Sequence, residues 1–433
     1  MKTRKILLMT FGLLLATAGL TSCNNSDDDE ATGGNGNTEN DTEYVDDKGG
    51  ALTLEQEQAY NMSVNGFTFN MFQTMTAEHP LQSLVSSPLS AACVLAMLND
   101  GAWGTTREEL LQVLGFKDAK TRALNEYFQK QMKPLGTEGS TKLLLANAMF
   151  VREGFEFKPS FVEDMKQYYD AKTETLDFNS PESIDYINDW CSQKTNGLIP
   201  EMVRQISPIT IAMLFNAIYF CGKWKSPFEK EQTNYAAFTD ETGNSHQVEM
   251  MVQGTSDIGY FEGDDYKALR MDYEQGDYCM TLLLPTGSKK VADILSTLSD
   301  ESFRALDTKY TKPDPIVIIH LPRFTVETPD ETVENLEGVL RKMGITTIWN
   351  EKAELPNILK GANPMVSQVR QKAKIMVTED GTEAAAITQA GMVGSDIPGP
   401  RPYPVFNADH PFVYIISNRT SGVIYFIGTY HGE

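Results

Sequence analysis

The order of apolar and polar positions divides the chain into a helix-rich first half and a strand-rich second half. Over 52–76, Phe67, Met71, Phe72 and Met75 recur at helical spacing, which predicts one long helix. Ser87-Pro88 predicts a second helix start, because serine can cap a first turn and proline has no amide to leave unbonded there. Its buried stripe would be Leu89, Ala92, Cys93, Ala96 and Met97. Either Thr105 with Glu108 or Thr106 with Glu109 offers a capping box for the helix that Gly115 closes. Ser180-Pro181 repeats the start signal, with Ile184, Ile187 and Cys191 inward and Gly197 as the stop.

Further along, β-branched and aromatic residues take over. Segments 280–286, 315–328, 372–379, 411–417 and 422–430 read as strands. The last two are joined by 418–421 as a hairpin. Strands and helices that do not alternate as βαβ units predict an α+β fold rather than a doubly wound one. No linker and no repeat divides the chain beyond residue 50, so 51–433 is expected to be a single domain.

The N-terminus stands apart from that pattern. Lys2, Arg4 and Lys5 precede an apolar run from Ile6 to Ala18 and then Leu20-Thr21-Ser22-Cys23. This resembles a bacterial lipoprotein signal, which predicts that 1–22 are removed and Cys23 is lipidated. Residues 23–50 are polar and acidic with no core-forming side chains, so they are predicted to form a disordered tether. The acidic run after Cys23 also resembles surface-export signals of Bacteroidetes lipoproteins. The expected location is therefore the outer membrane, lipid-anchored and exposed on the cell surface, with the periplasmic face as the alternative.

The formal net charge of −22 argues against nucleic acid as a partner. Cys93, Cys191, Cys221 and Cys279 lie singly, without zinc or redox spacing, and no disulfide is expected. His79, His246, His320, His410 and His431 form no HExxH motif. GxSxG, P-loop and strand-linked GxGxxG motifs are also missing. No enzyme chemistry, metal or cofactor is expected.

The most informative stretch is 377–404, VTEDGTEAAAITQAGMVGSDIPGPRPYP. With FNADHPF at 406–412 it resembles the hinge and reactive loop of the serpins, the loop spanning about 379–404. The likeness extends to SSPLSAACVLAMLNDGAWGTT (86–106), INDWCSQKTNGLIPEM (187–202), FNAIYFCGKWKSPFE (215–229) and LPRFTVET (321–328). It implies three β-sheets, about eight or nine helices and an exposed reactive loop on a monomer. It implies a suicide substrate for serine proteases, which traps the acyl-enzyme as the cut loop enters the main sheet. A non-inhibitory relative acting as a binding or chaperone module is the alternative.

By that resemblance Glu379, Gly381, Thr382, Glu383, Ala384, Ala385 and Ala386 form the hinge. Alternation along a strand puts Thr382, Ala384, Ala386, Thr388 and Ala390 on one face. All are small, as side chains that must enter a packed core should be. The family's spacing places the scissile bond at Ser395–Asp396 counted from Gly381, and at Pro398–Gly399 counted back from Phe406. Met392, Val393 and Ile397 are further baits. These small and medium side chains point to elastase-like or subtilisin-like proteases, with papain-like cysteine proteases as secondary targets. In the shutter beneath the sheet, where the family pairs a histidine with an asparagine, Gln371 and Ser83 are the aligned residues, with Ser87 and Ser90 beside them. Trp224 matches the tryptophan at the sheet's opening. Lys117, Lys120, Arg122, Lys130 and Lys133 fall where some serpins bind heparin, but they are interleaved with acids and heparin is not expected.

Overall fold

The computed structural model describes residues 49–133, 141–275, 277–330, 336–382 and 403–432. The helices among them are α1 (Leu54–Glu78), α2 (Pro88–Gly101), α3 (Gly104–Leu114), α4 (Thr121–Gln131), α5 (Pro159–Tyr169), α6 (Pro181–Lys194), α7 (Val291–Thr297), α8 (Asp300–Lys309) and α9 (Leu336–Met343). The first six precede the large run of strands, as the periodicity predicts.

Three sheets hold the strands. One six-stranded sheet runs β1 (Leu84–Ser86), β17 (Ile424–Tyr430), β16 (Phe412–Asn418), β9 (Tyr278–Pro285), β8 (Tyr266–Asp272) and β7 (Gly259–Glu262). A four-stranded sheet runs β15 (Val405–Asn407), β10 (Val317–Pro322), β6 (Ser245–Thr255) and β5 (Asn234–Thr239). The main sheet has seven strands: β11 (Phe324–Glu327), β13 (Lys374–Thr378), β14 (Gly381–Thr382), β4 (Ala212–Lys223), β2 (Thr141–Arg152) and β3 (Lys172–Leu176), with β12 (Val366–Lys372) also paired to β4.

The apolar faces of these layers close one large core, in which α2 is buried along almost its whole length. On the other face of the main sheet, Ile187, Trp190 and Cys191 of α6 pack with Phe150, Met213, Phe215 and Ala217. Cys93, Cys191 and Cys279 are buried and Cys221 is half-buried. Burial pushes the Cys279 thiol up to about 11 and Cys191 up to about 12, so both behave as inert apolar side chains.

Several local expectations need correction. Ser87 precedes α2, but its side chain makes no capping bond and its hydroxyl has no hydrogen-bond partner among the described residues. The helix is held instead by its buried stripe. Neither Thr105–Glu108 nor Thr106–Glu109 forms a capping box, because α3 starts one residue earlier at Gly104. Its first amides are satisfied from far away: Thr105 N donates to Glu354 Oε2 at 2.7 Å. Glu109 is occupied elsewhere, accepting from Thr346 N at 2.8 Å and Thr347 N at 2.9 Å. Gly115 does close α3, in the left-handed conformation (φ 75°) that glycine tolerates best. The run 315–328 is two strands, not one: the chain leaves β10 at Pro322 and enters a different sheet as β11 after Arg323. Likewise 366–378 divides at Ala373 into β12 and β13.

Candidate functional site

The division at Ala373 creates the site. Below it, β12 runs parallel to β4, with Val369 opposite Leu214 and Gln371 opposite Asn216. Above it, β13 leaves β4 and the wedge is filled by β14, antiparallel to both neighbours. Thr382 pairs with Val377 on one side and Gly222 on the other; Gly381 pairs with Thr378 and Lys223. The offset between the flanking strands is the same in both regions, since Val377 and Gly222 keep the spacing of Gln371 and Asn216. The sheet is therefore parted without a slip in register.

Gly381 is required at the tip of the wedge. Its φ is 151°, and a Cβ there would lie 2.0 Å from the Gly222 carbonyl oxygen and 2.7 Å from Lys223 Cα. Thr382 is fully buried, its hydroxyl 2.7 Å from the Tyr273 hydroxyl. Tyr273 stacks on Trp224, with centroids 4.6 Å apart and planes 15° apart. Trp224 is itself buried, and its Nε1 donates to Thr378 O at 3.0 Å. Trp224 N donates to Asp380 O at 2.9 Å, and Phe228 N to Glu379 O at 2.9 Å. The loop's departure from β13 is thus bonded to the segment that follows β4.

Glu379 anchors this end electrostatically. Its side chain is 2 % exposed and accepts from Arg323 Nη2 at 2.6 Å and Thr233 Oγ1 at 2.7 Å. Arg323 also donates to Glu249 at 2.8 Å. Burial alone would raise the Glu379 carboxyl, but the Arg323 and Thr233 hydrogen bonds outweigh it and hold it below its ordinary range.

Beneath the seam lies a buried polar row across three strands. Gln371 on β12 faces Asn216 on β4, which faces Asn147 on β2. Gln371 Oε1 accepts from Ser86 Oγ at 2.9 Å, and its Nε2 donates to Ser87 O at 2.7 Å. Asn216 accepts from the Ser90 hydroxyl and donates to Asn147 Oδ1 at 2.7 Å. Every one of these side chains is buried, so the row is satisfied from within the protein and β12 can leave β4 only by rearranging it.

The structure therefore brings Ser87, Ser90 and Gln371 together, with Ser87 taking part through its carbonyl. Ser83 lies apart: its hydroxyl accepts from His431 N at 2.9 Å. The residue facing Gln371 is Asn216, which sequence reasoning missed. The signal was present, because Asn216 is the one polar side chain in the apolar strand MLFNAIYF, as Asn147 is in LLLANAMFV. Arg323 and Tyr273 were missed as well, and Tyr273 has no distinguishing local context. Of the hinge, Glu379, Gly381 and Thr382 are placed as described. Glu383, Ala384, Ala385 and Ala386 lie outside the described residues, as do Cys23, Met392, Val393, Ser395, Asp396, Ile397 and Pro398.

What this arrangement offers is mechanical. A two-residue strand already occupies the top of a seam between two parallel strands, and the seam continues downward in register.

Comparison with known proteins agrees with that geometry. The family model for serpins, serine protease inhibitors, matches residues 62–431. Human neuroserpin is 31% identical over 389 residues, covering 87% of this chain and 91% of its own. The leukocyte elastase inhibitor of Sus scrofa is 30% identical over 385 residues, covering 87% of this chain and 99% of its own. Among solved structures, the thermophilic serpin tengpin in its native state superposes with a TM-score of 0.79 at 27% identity, covering 89% of this chain and 96% of its own. With three sheets in this arrangement and a match along most of its length, the chain is no enzyme and belongs to the serpin family of serine protease inhibitors.

Proposed function

We propose that this serpin inhibits by loop insertion and covalent trapping. The observation that carries the reading is β14, a strand already begun between β13 and β4. Continuing its register would set Ala384 between Ile375 and Phe220, and Ala386 between Ala373 and Ile218. Thr388 would fall between Gln371 and Asn216, where its hydroxyl could join the polar row; Ala390 would fall between Val369 and Leu214. The face turned toward the core would thus receive only small side chains, and the one hydroxyl beneath the division would meet the polar site. About ten new ladder hydrogen bonds at ~1 kcal/mol each give on the order of 10 kcal/mol. That equals the whole stability of many domains, roughly 5–15 kcal/mol.

The chemistry belongs to the target. Its serine oxygen attacks a loop carbonyl, the peptide C–N bond breaks, and the amine leaves with a proton from the protease's histidine. The ester then tethers the protease to residues that can enter the sheet. Insertion drags the protease along and distorts the oxyanion hole that hydrolysis of the ester needs. Gly381 to Ala390 supplies the spring and 392–398 the bait.

Elastase-like or subtilisin-like enzymes are the proposed targets. Small and medium bait side chains suit their pockets, and the leukocyte elastase inhibitor is among the relatives. The lipoprotein features of 1–50 support attachment at Cys23 to the outer membrane, where the inhibitor would protect the cell surface. Incubation with elastase or subtilisin is expected to give a complex that survives boiling in SDS. Clean cleavage with no complex across both enzymes would instead support a binding module.

A further inference from the structure

The polar row beneath the seam does not end at Asn147. The Oδ1 of Asn147 accepts from Asn216 at 2.7 Å. Its Nδ2 lies 3.1 Å from Met132 Sδ, 3.5 Å from Cys93 Sγ and 3.2 Å from the Tyr169 carbonyl oxygen. Cys93 Sγ donates to the same thioether at 3.0 Å. Met132 Sδ thus accepts from two buried donors, and one of them, Asn147, also holds the row.

The two sulfurs differ in how they meet an oxidant. Cys93 lies on α2 with no exposed surface. Burial raises its thiol far above the ordinary range, against the lowering effect of the Asn147 hydrogen bond. The thiolate that oxidants attack therefore does not form. Met132 is the C-terminal cap residue of α4 and is half-buried. A thioether has no proton to lose, so its oxidation needs no shifted titration.

We propose that Met132 is a site of reversible oxidation coupled to the seam: its sulfoxide captures Asn147 and slows the entry of a strand between β12 and β4. This rests on the insertion reading above. In the step itself, Met132 Sδ takes one oxygen atom from hydrogen peroxide. The O–O bond breaks, the sulfur loses two electrons, and the peroxide leaves as water. A methionine sulfoxide reductase returns the thioether.

The product is unlike what it replaces. A thioether is a weak acceptor, whereas a sulfoxide is polar and its oxygen, buried beside Asn147, is costly to leave unbonded. The Nδ2 of Asn147 is already 3.1 Å from the sulfur. Bonded to that oxygen, Asn147 holds Asn216 more firmly through Oδ1, because linked hydrogen bonds polarise one another. Continuing β14 sets Thr388 between Gln371 and Asn216. Asn216 must loosen its own bonds to receive that hydroxyl, and oxidation at Met132 raises the barrier to doing so.

The test uses the intact chain, treated with hydrogen peroxide, and a fluorescent peptide matching residues 382–391, which contains no methionine. Peptide uptake is followed on native gels and the oxidation of each methionine by mass spectrometry. Oxidation of Met132 is expected to slow uptake about fivefold, and methionine sulfoxide reductase should restore it. Met132→Leu conserves volume, so it should start within about twofold of wild type and then ignore peroxide. Met132→Gln carries a permanent amide oxygen and should be slow without oxidant. Hydrogen exchange of the β4 amides around Asn216 gives a reading independent of the peptide: slower in oxidised wild type, unchanged in peroxide-treated Met132→Leu. Equal slowing of wild type and Met132→Leu overturns the proposal and leaves insertion intact. So does Met132 oxidation that leaves uptake unchanged or quickens it, or a Met132 that stays reduced while the exposed Met62 is oxidised. If untreated wild type refuses the peptide and cutting the loop brings no thermal gain, insertion itself is wrong and the proposal falls with it.

Discussion

Thr382 and Tyr273 share a 2.7 Å hydrogen bond inside the core, although 109 residues separate them in sequence. This contact fixes the buried hinge residue Thr382 against the aromatic pair Tyr273–Trp224. It ties β14 to the residue that follows β8.

Thr382→Arg should convert the inhibitor into a substrate. The guanidinium would have to occupy a fully buried position facing Tyr273, at a cost of several kcal/mol. Elastase is expected to cut the variant without forming an SDS-stable complex. A retained complex would mean that inhibition does not need Thr382 buried in the sheet.

Gly381→Ala tests the wedge itself. The new methyl would collide with the Gly222 carbonyl, in a backbone conformation that other residues avoid. A loss of more than about 1 kcal/mol in unfolding free energy is expected, with faster hydrogen exchange at residues 377–382. Unchanged exchange there would show that β14 is not held between its neighbours in solution.

Glu379→Gln removes the charge facing Arg323 while keeping the size. Arg323 is partly exposed and retains Glu249, so the expected loss is modest, about 1–2 kcal/mol by denaturant melting. The folded carboxyl lies below its ordinary range, so its contribution is present above the unfolded value of about 4.3. It is lost as pH falls through the lower folded value. The difference between wild type and Glu379→Gln should therefore shrink in acid; a gap that is constant with pH would assign the effect to packing.

His431 should act earlier on the same pH axis. It is buried, its Nδ1 has no hydrogen-bond partner among the described residues, and burial lowers it to about 4 against an opposing pull from Asp240. Stability contributed by the neutral ring is complete above about 6.5 and is lost as pH falls toward the folded value, roughly 3 kcal/mol in all. His431→Gln should flatten that part of the pH–stability curve. An unaltered curve between about pH 6.5 and 4 would place the ring in water.

The sequence disclosed the fold where one residue's local surroundings decide the outcome. Phe67, Met71, Phe72 and Met75 line α1 because a helical stripe is local, and Gly115 closes α3 for the same reason. What it hid was supplied by distant partners. Thr105 is bonded by Glu354, so no pattern near α3 could reveal its cap. The run 315–328 looks continuous, since β10 and β11 are both apolar and only pairing to different sheets parts them at Arg323. Strand β5, NYAAFT, is mostly exposed and carries no alternation strong enough to register. In the site, GTEAAA was legible as a motif, whereas the opposition of Gln371 to Asn216 required the register of two strands 155 residues apart. Ser83, the partner that the resemblance implies, is instead engaged by His431, whose amide donates to its hydroxyl.

Thermal unfolding of the intact and loop-cut chain tests insertion most directly. Cutting within 392–398 with a metalloprotease, which forms no acyl-enzyme, leaves the spring free to enter the sheet. A gain on the order of 10 kcal/mol should raise the midpoint by roughly 10 °C or more. An unchanged or lower midpoint after complete cleavage would contradict the account, because the seam below Thr382 would then be closed to the strand that β14 begins.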